Sequence, residues 1–279
     1  AFWMLVEINR VLFSSNGRTF FLIFAIIGVS LKILAINRLS SMPFLSLWAY
    51  ICLYFILHEM TQIRAGVASG IFLLAIQDIV NRNFKNYLIK TFLAVMFHYS
   101  AIIMLPLYFL NPKRINYALF LTLPILGIIL GILTKNEMRY LIEISSEFLP
   151  EFIGVKINTY LSLLEMGLFN RLNIIRNYLI AGLLGTYYFL LLNTKYLKFN
   201  LDLIMIKILG IMLFLFYSLL AVPVFAGRIS EFLGVVLIIL IPHIALMFKQ
   251  KDIIKALIFL YLSGCLILTA KLLNFEVIL

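Results

Sequence analysis

An all-α polytopic membrane protein is the fold class this sequence predicts, and three observations carry it. Of 279 residues, 64% are hydrophobic and only 13% charged, with a mean hydropathy of +1.08, whereas soluble domains use about 45–50% apolar residues. Apolar runs of membrane length recur along the chain, separated by short polar breaks. Helices of about 20 apolar residues are how a chain satisfies its backbone in lipid. The 25 Phe and 14 Tyr suit lipid-facing helices and interfacial belts. The net charge of +11 reads as basic loops touching anionic lipid, not as nucleic-acid binding. Cys52 and Cys265 lie inside apolar runs and read as packing residues. The chain opens on Ala1-Phe2-Trp3 without a signal-peptide pattern, so further N-terminal spans are expected to precede it.

In order, the runs predict spans over 19–36, 43–60, 63–80, 115–133, 172–192, 204–222, 229–248 and 253–273, in a single transmembrane domain over 1–279. The run 86–110 is too long for one span and is interrupted by His98-Tyr99-Ser100 and Pro106. Arg82, Lys85 and Lys90 precede it and Lys113 and Arg114 follow it. Basic breaks face the cytoplasm, so the run is expected to cross twice or dip in and return, with a break at His98; the alternative is a single tilted span, with Lys113 and Arg114 departing from that rule. Broken helices at membrane depth are tolerated where they line a cavity. That brings the count to about 8–10 transmembrane or re-entrant helices.

This topology places the loop 134–171 outside. Its Lys135, Arg139, Lys156 and Arg171 stand against Glu137, Glu143, Glu147, Glu151 and Glu165, a net charge of −1. Apolar residues at helical spacing predict short amphipathic helices there. Seven of the ten basic residues assigned outside are Arg, whereas ten of the thirteen assigned inside are Lys, Lys32 and Lys207 among them. Lys serves as a solvated point charge, while Arg grips phosphate bidentately and tolerates partial burial. An Arg-rich outward cavity suits a pyrophosphate-bearing lipid.

Ionisable side chains in apolar runs are functional candidates by default. Arg64 opens a span, with His58, Glu59 and Gln62 just before it and Gly66, Ala68, Ser69 and Gly70 after it. Those small residues allow close packing. Arg228 starts another span three residues before Glu231, where an intrahelical pair or phosphate binding are both open. His98, with Tyr99 and Ser100, is a candidate base or anion donor, and His243 near a cytoplasmic end reads as structural. Arg139, Tyr140, Arg171, Asn173 and Arg176 flank the outer loop and as a group suit a phosphate or sugar path. No Asp-x-Asp, Gly-x-Ser-x-Gly, Walker or Cys/His metal pattern is present. The expectation is chemistry without metal or cofactor, through Arg charge and one base.

These residues resemble a family. Ile63-Arg64-Ala65-Gly66-Val67-Ala68, the basic break 81–85, Leu93-Ala94, Phe97-His98-Tyr99-Ser100-Ala101 and Leu105-Pro106-Leu107 look like the EpsG-like branch of the Wzy-type polysaccharide polymerases. Gly227-Arg228-Ile229, Phe232 and Leu240-Ile241-Pro242 look like its second Arg-bearing span. Ala65 departs from the Gln usual after the Arg. The resemblance implies a GT-C-like glycosyltransferase of the bacterial cytoplasmic membrane. It would polymerise undecaprenyl-pyrophosphate-linked repeat units at the outer face, with a chain-length-regulating co-polymerase as a candidate partner. In that reading Arg64 and Arg228 stabilise the departing pyrophosphate, and His98 or Glu59 deprotonates the acceptor. Gln62, Tyr99, Ser100, Arg139, Tyr140, Arg171 and Arg176 would contact substrate. An outer-face ligase or lipid-sugar glycosyltransferase, a transporter or flippase, and a membrane acyltransferase are the alternatives.

Overall fold

The structure, a computed structural model, describes residues 2–13, 16–134, 182–197, 200–220 and 223–272, and every regular element among them is helical. Among the described residues, five helices are long and apolar enough to cross a membrane, or six if one bent pair counts as a span. The chain is thus an all-α polytopic membrane protein. The described residues fall into two compact units, one drawn from Ala1–Ile115, Asn193–Ile208 and Phe232–Leu279, the other from Asn116–Leu192 and Leu209–Glu231.

In the first unit, α1 (Phe2–Phe13) leads to α2 (Gly17–Leu39). The Asn16 side chain caps α2 by accepting from the Arg18 amide at 2.9 Å. After a corner at 40–42, Pro43 opens α3 (Pro43–Tyr50), its missing N–H harmless in a first turn. Without a break α3 widens into a π-helix, Ile51–Thr61. Such i→i+5 turns are rare and often mark functional sites. Gln62 ends it (φ −115°, ψ 52°), and α4 (Ile63–Val80) begins at the next residue. α4 is the hub, with 78% of its apolar window buried, whereas the span within α12 (Lys251–Leu272) has 11% buried and faces outward.

The run 86–110 folds as a hairpin that goes in and comes back. α5 (Phe84–Phe97) is capped by Asn83 and ends at His98, whose backbone is extended (φ −145°, ψ 115°). A 3-10 turn, Tyr99–Ile103, and α6 (Met104–Leu107) lead back. Tyr87 donates to the Met104 carbonyl at 2.6 Å, the Tyr108 ring lies 5.0 Å from Phe84, and Arg82 donates to the Tyr108 carbonyl at 2.9 Å. Entry and exit therefore lie at one end, as the basic flanks required. Fourteen helical residues rise about 21 Å, short of a hydrocarbon core of about 30 Å. The run returns to the end at which it enters, which a single tilted span would not.

In the second unit, α7 (Tyr117–Leu133) contains Pro124, which cannot donate to the carbonyl four residues before it. Tyr187 of α8 (Gly182–Leu192) donates to that carbonyl, Phe120 O, at 2.6 Å, and Tyr188 to Leu121 O at 2.9 Å. A Cβ on Gly127 would stand 2.6 Å from the Phe214 carbonyl of α9 (Asn200–Ser218), so the two backbones touch there as in other small-residue membrane contacts. The predicted span 229–248 is corrected to a bent pair, α10 (Pro223–Gly234) and α11 (Leu237–His243, continued by a 3-10 turn), with 53° between them. Gly234 and α11 belong to the first unit, where a Cβ on Gly234 would come 2.7 Å from the Tyr54 hydroxyl.

Candidate functional site

A fully buried ion pair lies at the heart of the first unit. Lys32 Nζ donates to Glu59 Oε1 at 2.6 Å and to the Gly66 carbonyl at 2.7 Å. Tyr50 donates its hydroxyl to the same Oε1 at 2.9 Å, and its ring lies 5.4 Å from the ammonium. Lys32 is 0% and Glu59 4% exposed. This corrects the placing of Lys32 among solvated inner-side cations: its stem follows α2 and its charge ends against the π-helix. Three glycines make the closeness possible. A Cβ on Gly28 would meet Glu59 Oε2 at 2.5 Å, one on Gly66 the His58 carbonyl at 2.7 Å, and one on Gly70 the Leu31 Cβ at 2.8 Å. The small stripe after Arg64 thus admits α2 and the π-helix.

Next to the ion pair sits His58, 0% exposed. Its Nδ1 is 3.2 Å from Ser69 Oγ, and Ser69 donates to the Gly66 carbonyl at 2.9 Å. The Tyr54 ring covers it at 5.1 Å. Gly66 O accepts from both Lys32 and Ser69, which ties the π-helix, α2 and the first turn of α4 together. Arg64 belongs to that turn and is exposed, and Gln62 at the break is half-buried.

His98 lies at the tip of the hairpin and is half-buried, as is Ser100, while Tyr99 is 83% exposed. α5 and α4 run antiparallel from the turn at 81–83. Equal rise along each brings Phe97 level with roughly the first turn of α4. The Phe97 ring packs 6.1 Å from Phe24 of α2, one turn before Gly28, and the 3-10 turn packs on α4. The structure therefore gathers His58, Glu59, Arg64 and His98 at the same end of the first unit, away from the basic breaks. Sequence reading gave Lys32, Tyr50 and Ser69 no part in a site; the one available signal was a Lys seven residues inside an apolar helix.

Arg228 is half-buried and lies in the second turn of α10, not at a helix start, so exposed first-turn amides are not at hand for it. Nearby, Ser230 donates to the Gly227 carbonyl at 2.7 Å. Arg139, Tyr140, Arg171 and Arg176, and with them the outer loop 134–171 beyond Thr134, lie outside the described residues.

At the basic end, a pocket of about 510 Å³ is lined by Arg38, Ser41, Gln77 and Asn200, so the C-terminal ends of α2 and α4 and the N-terminal end of α9 meet there. Behind it His243 Nδ1 is 2.7 Å from Asp202 Oδ1, and Nε2 accepts the Ser41 amide at 3.1 Å with Ser41 Oγ at 3.2 Å. The row Ser41–His243–Asp202 has the residue types of a nucleophile triad. Its Nε2 lone pair is already taken by a main-chain N–H, so the row holds a corner instead of activating a hydroxyl. Lys207, also placed among solvated inner cations by sequence, is 2% exposed and donates to the carbonyls of Asn111 and Arg114, closing the hairpin exit.

The EpsG family model matches residues 1–278. The chain belongs to the EpsG family. That membership makes it a membrane protein of polysaccharide synthesis. No curated protein and no solved structure matches it.

Proposed function

We propose that this EpsG-family protein is a glycosyltransferase that polymerises undecaprenyl-pyrophosphate-linked repeat units at the outer face of the bacterial cytoplasmic membrane. The observation that carries the reading is Arg64. It is the only basic residue of α4, stands exposed on the first turn of an otherwise buried helix, and shares its end of the unit with His98. Cations at such a turn meet phosphate oxygens together with free backbone N–H groups.

The anomeric carbon–oxygen bond of the growing glycan breaks with its electron pair going to the pyrophosphate, whose developing charge Arg64 stabilises. The acceptor hydroxyl forms the new bond and gives its proton to His98. Glu59 serves Lys32 as counter-ion in this scheme, which leaves the base role to His98. Arg228 is assigned phosphate binding on its own helix. Gln62, Tyr99 and Ser100 are assigned substrate contacts beside the break, and Arg139, Tyr140, Arg171 and Arg176 contacts along the outer loop. A chain-length-regulating co-polymerase is the partner this scheme would use.

The test is elongation by the purified protein in liposomes with lipid-linked repeat units, read as a glycan ladder. Arg64→Ala is expected to slow elongation by about 10²–10³-fold, as for loss of one oxyanion donor, and Arg64→Lys by less, since a point charge replaces the fork. Arg228→Ala is scored separately. An unchanged ladder for Arg64→Ala would falsify the mechanism, and a single added unit in place of a ladder would make the protein a ligase.

A further inference from the structure

His58 has no part in the scheme above, yet its hydrogen bonding is unusual. The single hydrogen of the Ser69 hydroxyl goes to the Gly66 carbonyl at 2.9 Å, so Ser69 Oγ is left to accept from His58 Nδ1 at 3.2 Å. Nδ1 therefore carries the ring hydrogen and Nε2 presents a bare lone pair. That Nε2 is buried and has no hydrogen-bond partner among the described residues. Leaving a buried acceptor unfilled is unfavourable, and each such group in a native fold calls for a reason.

The ring is held so that this nitrogen keeps its direction. The Tyr54 ring lies tilted against it, Gly66 lies close to its backbone and Ser69 fixes the other nitrogen. The hairpin tip sits at the same height, with Phe97 on Phe24 one turn of α2 before the glycine that faces Glu59. His58 and His98 lie within electrostatic reach of each other, as do His58 and Lys32.

We infer that His58 is a positioning residue for His98: when substrate binds, the ring N–H of His98 turns onto this bare Nε2, so that the other nitrogen of His98 faces the acceptor hydroxyl as a lone pair. The inference rests on the reading of His98 as the base. In the transfer step the acceptor proton moves to that lone-pair nitrogen, His98 becomes an imidazolium still bonded to His58, and His58 gains and loses nothing. It does for His98 what the third member of a nucleophile–base–orienter row does for its base, with a neutral acceptor in place of a carboxylate.

Three substitutions in the full-length, reconstituted protein separate this role from a merely structural one. His58→Gln can set an amide oxygen near the position of Nε2. His58→Asn can set an amide N–H near Nδ1, keeping Ser69 satisfied while removing the deep acceptor. His58→Phe keeps the volume and neither group. Positioning predicts that Gln retains most turnover, whereas Asn and Phe lose about tenfold or more in kcat with KM for the lipid-linked substrate unchanged. The reverse order, with Asn active and Gln inactive, overturns the inference, and so does wild-type turnover in all three. If the ring variants do not fold, Ser69→Ala serves, because it frees the tautomer while leaving the imidazole: a several-fold fall in kcat supports the inference and unchanged kcat overturns it. His98→Ala distinguishes the two levels. Wild-type turnover there removes the base reading itself, whereas loss there with wild-type turnover in His58→Phe removes only the positioning role.

Discussion

Two buried imidazoles in the first unit invite comparison. His58 and His243 are both 0% exposed, each meets a serine hydroxyl at 3.2 Å, and each has a carboxylate near it, Glu59 by sequence and Asp202 by contact. They differ in what is left over. Both nitrogens of His243 are used, one by Asp202 and one by the main chain of Ser41. His58 keeps one acceptor in reserve, and its neighbouring carboxylate is spoken for by Lys32. A buried imidazole with both nitrogens engaged holds a corner, while one with a bare nitrogen is where a protein can still act on something else. The same residue types therefore mean different things at the two ends of the π-helix-bearing span.

The comparison breaks most readily at Lys32. Lys32→Met leaves the Glu59 carboxylate buried beside Tyr50 alone and should lower unfolding stability by about 3–5 kcal/mol, whereas Lys32→Met with Glu59→Leu should recover most of it. Denaturant titration of the detergent-solubilised protein reads both. If the double variant is stable yet does not elongate glycan, the ion pair matters to function beyond holding α2 to α4. A single variant as stable as wild type would contradict the buried pairing.

A smaller effect is expected where both imidazole nitrogens are engaged. Asp202→Leu removes the charged acceptor of His243 Nδ1 and should lower stability by about 1–3 kcal/mol while leaving kcat and KM of the folded fraction unchanged. That is the mirror image of the expectation at His58, and a fall in kcat without loss of stability would erase the contrast. The smallest effect calibrates both. Tyr187→Phe deprives the Phe120 carbonyl, orphaned by Pro124, of its donor and should cost about 1 kcal/mol in the same titration, with no change in the glycan ladder.

Much of the architecture was legible in the chain. Apolar run lengths predicted spans over 43–60 and 63–80, and the structure has Pro43–Thr61 and Ile63–Val80. Basic residues on both flanks of 86–110 required a return, and His98-Tyr99-Ser100 marked where the helix would stop. The bent pair after Pro223 was harder, because the immediate neighbours of Gly234, Phe232-Leu233 and Val235-Val236, are all apolar and the angle comes from what packs against the glycine.

What the sequence alone determined was where the backbone must be helical and which ends carry the basic loops, since hydrophobicity and charge act on each segment by itself through transfer into lipid. What only the tertiary structure decided was the partner of each buried charge. Lys32 meets Glu59 across 27 residues and His243 meets Asp202 across 41. Such pairs depend on which helix faces which, and on three glycines that let the backbones close. A lysine inside an apolar helix reads the same whether it snorkels to water or ends on a carboxylate. Only packing, by removing water from one of those choices, settles which.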